Sequence, residues 1–138
     1  AGIDIEVVRE PNDGYWSNVW NNDAKGWCAC YWGGRPAETM MFSAAYVAES
    51  KWNDTSWKGT ESSKKFNALV IQARAELDTT KRRELYYECQ RLVSDDGGAM
   101  VPLFNSYVSA NSKAIAHNEI AANWDSDGAK CVERWWFA

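Results

Sequence analysis

The chain has a single histidine, His117, in 138 residues, and so little of what acid–base chemistry at neutral pH usually draws on. His117 stands in a polar stretch of the tail, where a surface position is expected. There is no G-x-S-x-G elbow, no phosphate-binding glycine loop and no dinucleotide fingerprint. Asp95-Asp96 are adjacent at the end of a predicted helix and would point apart, and Asp54, Asp125 and Asp127 read as solvated loop residues. These absences predict a protein that is not an enzyme and needs no cofactor. Four cysteines, Cys28, Cys30, Cys89 and Cys131, are too few and too scattered for a disulfide scaffold. Cys28 and Cys30 are poorly placed to bridge each other, and no zinc spacing occurs, so no metal is expected. No apolar run approaches the ~20 residues that span a bilayer. A net charge of -4 argues against a nucleic-acid partner. The amino-terminal residues lack the basic region and apolar core of a signal peptide, and the chain is expected to be a piece of something longer.

Aromatic residues are abundant instead. Nine Trp, six Tyr and four Phe are enough either to thicken a core or to line a site that stacks on ligands. One reading is therefore a free-standing carbohydrate-binding module with Trp52, Trp57 or the terminal Trp135-Trp136 pair as stacking platforms.

Ile3, Ile5 and Val7 alternate with Asp4 and Glu6, which predicts a half-buried strand stopped by Pro11. Asn12-Asp13-Gly14 opens a short helix with Tyr15, Trp16, Val19 and Trp20 on one face. A second strand follows at Trp27 to Trp32, so that a βαβ-like unit with neighbouring parallel strands is expected. Residues Glu38 to Tyr46 read as a short helix and Glu49 to Thr60 as a polar loop containing the glycosylation-type triplet Asn53-Asp54-Thr55, a weak pattern. Phe66, Leu69, Val70, Ala73 and Leu77 have the spacing of an amphipathic helix. Asp78-Thr79-Thr80 breaks it and caps a second, whose buried stripe is Leu85, Cys89, Leu92 and Val93. Gly97-Gly98 ends this αα-hairpin. Ala99 to Phe104 reads as a third strand with Pro102 at an edge, and Ser106 to Ala110 as a possible fourth. The last aromatic residues, Trp135-Trp136-Phe137, need a docking surface.

The stretch Gly26-Trp27-Cys28-Ala29-Cys30-Tyr31-Trp32-Gly33-Gly34-Arg35-Pro36 holds the candidate site. Trp27, Ala29 and Tyr31 would face one side and Cys28, Cys30 and Trp32 the other, as a strand covered on both sides. Gly33-Gly34 frees the backbone to turn, and Arg35 emerges beside two aromatic rings, a combination suited to a carboxylate or a flat polar ligand. On periodicity alone, a purely structural turn is the favoured reading, by about two to one. The candidate ligand-binding residues are Cys30, Tyr31, Trp32, Gly33, Gly34 and Arg35.

The runs Phe66-Asn67-Ala68-Leu69-Val70, Ala73-Arg74-Ala75-Glu76-Leu77-Asp78, Lys81-Arg82-Arg83-Glu84-Leu85-Tyr86 and Gln90-Arg91-Leu92-Val93-Ser94-Asp95-Asp96-Gly97, followed by Val101-Pro102-Leu103-Phe104, resemble one family. It is the extracytoplasmic solute-binding proteins of peptide-type ABC transporters, the dipeptide, oligopeptide and nickel receptors. Gly26-Trp27-Cys28-Ala29-Cys30-Tyr31 fits the segment that the family places before its substrate loop. The resemblance implies an α/β fold, the C-terminal lobe of a two-lobed periplasmic binding protein, with a small mixed sheet and an αα-hairpin. Residues 1–101 would belong mostly to the second lobe, and 102–138 would cross the hinge and dock on the first, whose N-terminal lobe is missing here. It further implies a periplasmic location, a small-molecule or peptide solute, and an ABC permease in the inner membrane as partner. Members that take peptides by the amino end often carry an aspartate in the segment matching Cys30-Tyr31-Trp32. Here Cys30 stands in its place, with no carboxylate until Glu38. The resemblance so modified implies an acidic solute held by Arg35.

Overall fold

Two helices joined by three residues carry the core, and each is started by a side chain that satisfies its free amide groups. In the computed structural model, which describes residues 2–22 and 26–138, helix α3 (Glu61–Ala75) is capped by Thr60, whose hydroxyl accepts the Ser63 amide. Helix α4 (Thr79–Asp96) is capped by Asp78, which accepts the Thr80 and Lys81 amides at 2.9 and 3.0 Å. Its end is closed by Gly97, whose amide donates to the Leu92 and Val93 carbonyls. A Cβ there would lie 2.7 Å from the Val93 backbone, so only glycine fits. Along the outer face, Lys65, Glu88, Arg91 and Asp95 form a chain of exposed ion pairs.

The apolar stripes of the two helices meet. Phe66, Val70 and Ala73 pack with Tyr86, Cys89, Leu92 and Val93, and helix α2 (Glu38–Ala45) adds Phe42 and Ala45. Phe42 and Trp57 stand against Phe66 at ring-centroid distances of 5.6 and 5.2 Å. Most of the predicted stripe is buried, but Leu77 is 91% exposed, because α3 ends at Ala75 and the chain turns before Leu77 can face the core. Tyr86 takes a place in the core that helical spacing had not assigned to it.

A short helix, α1 (Tyr15–Asn18), precedes these elements. The carboxy-terminal part holds β1 (Ile115–His117), α5 (Asp125–Ala129), α6 (Cys131–Arg134) and β2 (Trp135–Phe137). The strands pair antiparallel, with Ala116 opposite Trp136. Between them α5 is a left-handed turn, with positive φ at Ser126, Asp127, Gly128 and Ala129. Such a turn costs an L-residue chain free energy and needs an anchor. Asp127, 2% exposed, is that anchor. Its carboxylate accepts the Ala121 amide at 2.7 Å and the Trp135 indole at 3.0 Å, and it pairs with Arg134 at 3.2 Å. The solvated-loop expectation for Asp127 is therefore corrected. Of the terminal aromatic run, Trp135 packs on His117 at 5.1 Å, while Trp136 and Phe137 stay exposed, so the expected docking surface is met for Trp135 alone among the three.

The architecture is mixed, with helical segments and one two-stranded antiparallel sheet among the described residues. The expected parallel βαβ unit and its mixed sheet do not form among them. Residues 2–11, 26–35 and 98–112 have no regular structure, so none of the strands predicted at Ile3–Val8, Trp27–Trp32, Ala99–Phe104 and Ser106–Ala110 is present. A strand needs a neighbour to take its amide and carbonyl groups, and none lies beside these segments. Ile3, Ile5, Val7, Leu103, Phe104 and Val108 are exposed in consequence. No described helix is long and apolar enough to cross a membrane.

Two outcomes test this packing. Replacing Phe66 by alanine should lower the unfolding free energy by about 3–5 kcal/mol, whereas Leu77→Ala should change it by less than about 0.5 kcal/mol, both measured by urea denaturation. The Ala121 amide, before the Trp135 and Arg134 contacts, holds the Asp127 carboxyl below its ordinary value of 3.8. The stability it contributes is present above that value and is lost as pH falls through the lowered folded one. The Trp135 indole proton resonance should therefore hold its folded position to below about pH 4 and then collapse. In Asp127→Asn the acid-dependent collapse should vanish.

Candidate ligand-binding depression

Asp54 is fixed before its side chain does anything. The Asn53 side chain is buried and makes two hydrogen bonds with the Trp57 backbone, donating to the carbonyl at 2.9 Å and accepting the amide at 3.2 Å. That arrangement removes Asn53 from any role as a glycosylation acceptor. The Asp54 amide then donates to the Ala45 carbonyl at the end of α2, at 2.8 Å. Pinned there, the Asp54 carboxylate accepts the Trp20 indole N–H on Oδ1 and the Trp32 indole N–H on Oδ2, the latter at 3.1 Å. The Cys30 thiol lies 3.7 and 3.6 Å from the two oxygens. A carboxylate expected to be a solvated loop residue is the junction of three segments.

The rings so held form a cluster. Trp16 meets Trp20 at 5.7 Å and Tyr31 at 5.4 Å, and Trp20 meets Trp32 at 6.1 Å, all edge to face. Tyr15 fastens this corner by donating its hydroxyl to the Ala29 carbonyl. An open depression of about 250 Å³ results, lined by Trp16, Trp20, Tyr31, Trp32, Gly33, Arg35 and Trp52. Arg35 lies over the Trp32 ring at 5.7 Å, and its Nη1 donates to the Gly33 and Gly34 carbonyls at 2.7 and 3.3 Å. The Gly34 amide donates to the Tyr107 hydroxyl at 2.8 Å. A Cβ on residue 34 would sit 3.0 Å from that oxygen, a tight contact that the Tyr107 side chain would have to relax. Lys51 stands 4.5 Å above the Trp52 ring.

Of the residues expected from sequence, Tyr31, Trp32, Gly33 and Arg35 line the depression, Cys30 turns behind it to Asp54, and Gly34 turns to Tyr107. The alternation across this stretch is visible in Cys30 and Trp32 facing inward while Ala29 and Tyr31 are exposed. Its predicted cover on both sides is corrected, since Trp27 is 82% exposed. Sequence reasoning missed Trp16, Trp20 and Asp54; Asp54 meets Trp32 and Trp20 across 22 and 34 residues of chain, and Trp16 meets Tyr31. No local spacing signals that meeting; the only hint was the abundance of Trp. Trp57, expected as a stacking platform, is buried against Phe66. His117 lies in the β1–β2 hairpin with its Nδ1 at the Asn118 carbonyl. Among the described residues no cluster of three or more His, Cys, Asp or Glu could hold a metal ion, and all four cysteines are free thiols.

Burial first, and the Asp54 charge second, push the Cys30 thiol up to about 12. It therefore stays protonated, neutral and unreactive beside the carboxylate.

Comparison with family models, with curated proteins and with solved structures found no match.

Iodoacetamide at pH 8.5 should accordingly alkylate exposed Cys28 well before Cys30, as read by peptide mass spectrometry. Asp54→Asn should raise the Cys30 rate, because it removes the negative charge that, after burial, holds the thiol protonated.

Proposed function

We propose that this chain is the carboxy-terminal part of an extracytoplasmic solute-binding protein of the peptide-type ABC transporter class, and that the aromatic depression is its share of the ligand cleft. The observation that carries the reading is the depression itself. Five rings and one arginine converge on it from α1 and from irregular chain, held by Asp54, Tyr107, the Tyr15–Ala29 hydrogen bond and their own ring contacts. Its composition suits holding a small molecule.

Two further features support the reading. The αα-hairpin runs through the residues that resemble the family, and the capped, tightly packed pair gives the site a firm base. Residues 2–11 and 98–112 carry apolar side chains into solvent, as strands would whose partners belong to another lobe. In this reading a solute bridges the two lobes, shifts the population toward a closed form, and an inner-membrane permease recognises that form from the periplasmic side. The protein performs no chemistry on its cargo. The carbohydrate-module reading is weaker here, because burial of Trp57 leaves Trp52 without its companion platform.

Native mass spectrometry of the full-length gene product, expressed with whatever sequence flanks this chain, tests the proposal. A small molecule carried through purification in about one-to-one ratio, and lost in Trp32→Ala, is the expected result. A product that carries nothing and is retarded by polysaccharide in affinity gels would overturn it.

A further inference from the structure

We infer that the depression takes a flat monoanion, an aryl or heteroaryl carboxylate, in preference to a peptide held by its amino group; this rests on the solute-binding reading above. The charge comes from Arg35. Only its Nη1 is engaged, by two carbonyl oxygens, and none of the ion pairs among the described residues includes it. The other N–H groups of the guanidinium fork are left for a planar, bidentate acceptor, and a carboxylate matches that geometry. Lys51 over Trp52 adds a second positive charge near the rim.

The flatness comes from the rings. Trp16, Trp20, Tyr31 and Trp32 meet at interplanar angles of 69° to 84°, so a planar guest encounters both ring edges and ring faces and can extend the same edge-to-face pattern. The size follows from the volume of about 250 Å³, just below the ~300 Å³ at which pockets for drug-sized molecules begin. One ring system fits better than a chain of residues.

Asp54 excludes the alternatives. An ammonium group would need a free acceptor, yet the Asp54 oxygens already face two indole N–H groups and a thiol, and Asp54 is absent from the lining of the depression. Its negative charge behind the Trp20–Trp32 wall also opposes a second anionic group on the guest. The site therefore favours one negative charge, near Arg35.

Titration of the 15N-Trp-labelled full-length gene product, followed through the indole resonances of these tryptophans, decides the matter with benzoate, benzamide and dialanine as probes. Benzoate should shift the Trp16, Trp20, Trp32 and Trp52 signals at least about tenfold more tightly than benzamide, the worth of one charge-assisted hydrogen-bonded contact. Arg35→Gln should bring benzoate down to the benzamide level, and Arg35→Lys should recover part of the difference. Unchanged Trp20 and Trp32 indole positions in the free variants would show that the wall is intact. Equal binding of benzoate and benzamide, or a preference for dialanine, overturns the inference and leaves the solute-binding reading standing. Failure of every probe at millimolar concentration to move any of these indoles overturns both.

Discussion

The site hangs on one carboxylate. Asp54 gathers two indole N–H groups and a thiol from residues 20, 30 and 32, and residues 26–35 have no ladder of backbone hydrogen bonds to place them. A side-chain acceptor thus does what a neighbouring strand does elsewhere. Hydrogen bonds to a charged group contribute about 1.5–3 kcal/mol each, roughly twice a neutral pair. That margin matters where the alternative is a loop of tryptophans competing for water and for one another. The indoles, in turn, are held by their polar edges, so their apolar surfaces remain available to each other and to the depression.

Asp54 can play this part only because the residues around it are rigid. Asn53 is locked to the Trp57 backbone, Trp57 is buried on Phe66, and the Asp54 amide is tied to the end of α2. The line from helix core to carboxylate to indole is continuous, and each step is short. The ring cluster therefore inherits its position from the α2–α3–α4 packing although only Trp16 of its rings lies in a helix. The same device recurs at the other end of the molecule. There Asp127 gathers an amide, an indole and an arginine to hold a left-handed turn between two three-residue strands. In both places an aspartate substitutes for extended secondary structure.

What could be read from the sequence divides along the same line. Helices α2, α3 and α4 were legible because their signals are local: an apolar repeat, Asp78 as a cap, Gly97 as a stop. Leu77 was assigned to the buried stripe because periodicity does not know where a helix ends. The strands were misread for a different reason. The alternation of Ile3, Ile5 and Val7 is real, but a strand is a relation between two segments, and the described chain offers no partner. Of the site, the Tyr31-to-Arg35 turn was visible as an unusual local run. Trp16, Trp20 and Asp54 were not, because their meeting is made by packing across tens of residues. Calling Asp54 and Asp127 solvated followed from their loop settings, where a buried acceptor and an exposed one look alike.

The most instructive case is Cys30. In the proposed family reading, this position commonly carries the carboxylate that receives a ligand's amine, and a cysteine there suggests that the negative charge has been lost. The fold returns a carboxylate to the same neighbourhood, with Asp54 Oδ2 3.6 Å from the Cys30 sulfur. Its role is nonetheless changed. Two indole N–H groups and the thiol face its oxygens, so the charge acts from behind the aromatic wall rather than within the cleft. A carboxylate in the cleft attracts a cation by contact; one behind the wall orients the rings and leaves contact recognition to Arg35. Under the proposed function, a charge kept in the same neighbourhood but turned away from the depression reverses what the site would hold. Neither a motif comparison nor a count of charges would reveal that reversal, because it depends on which donors face the two oxygens.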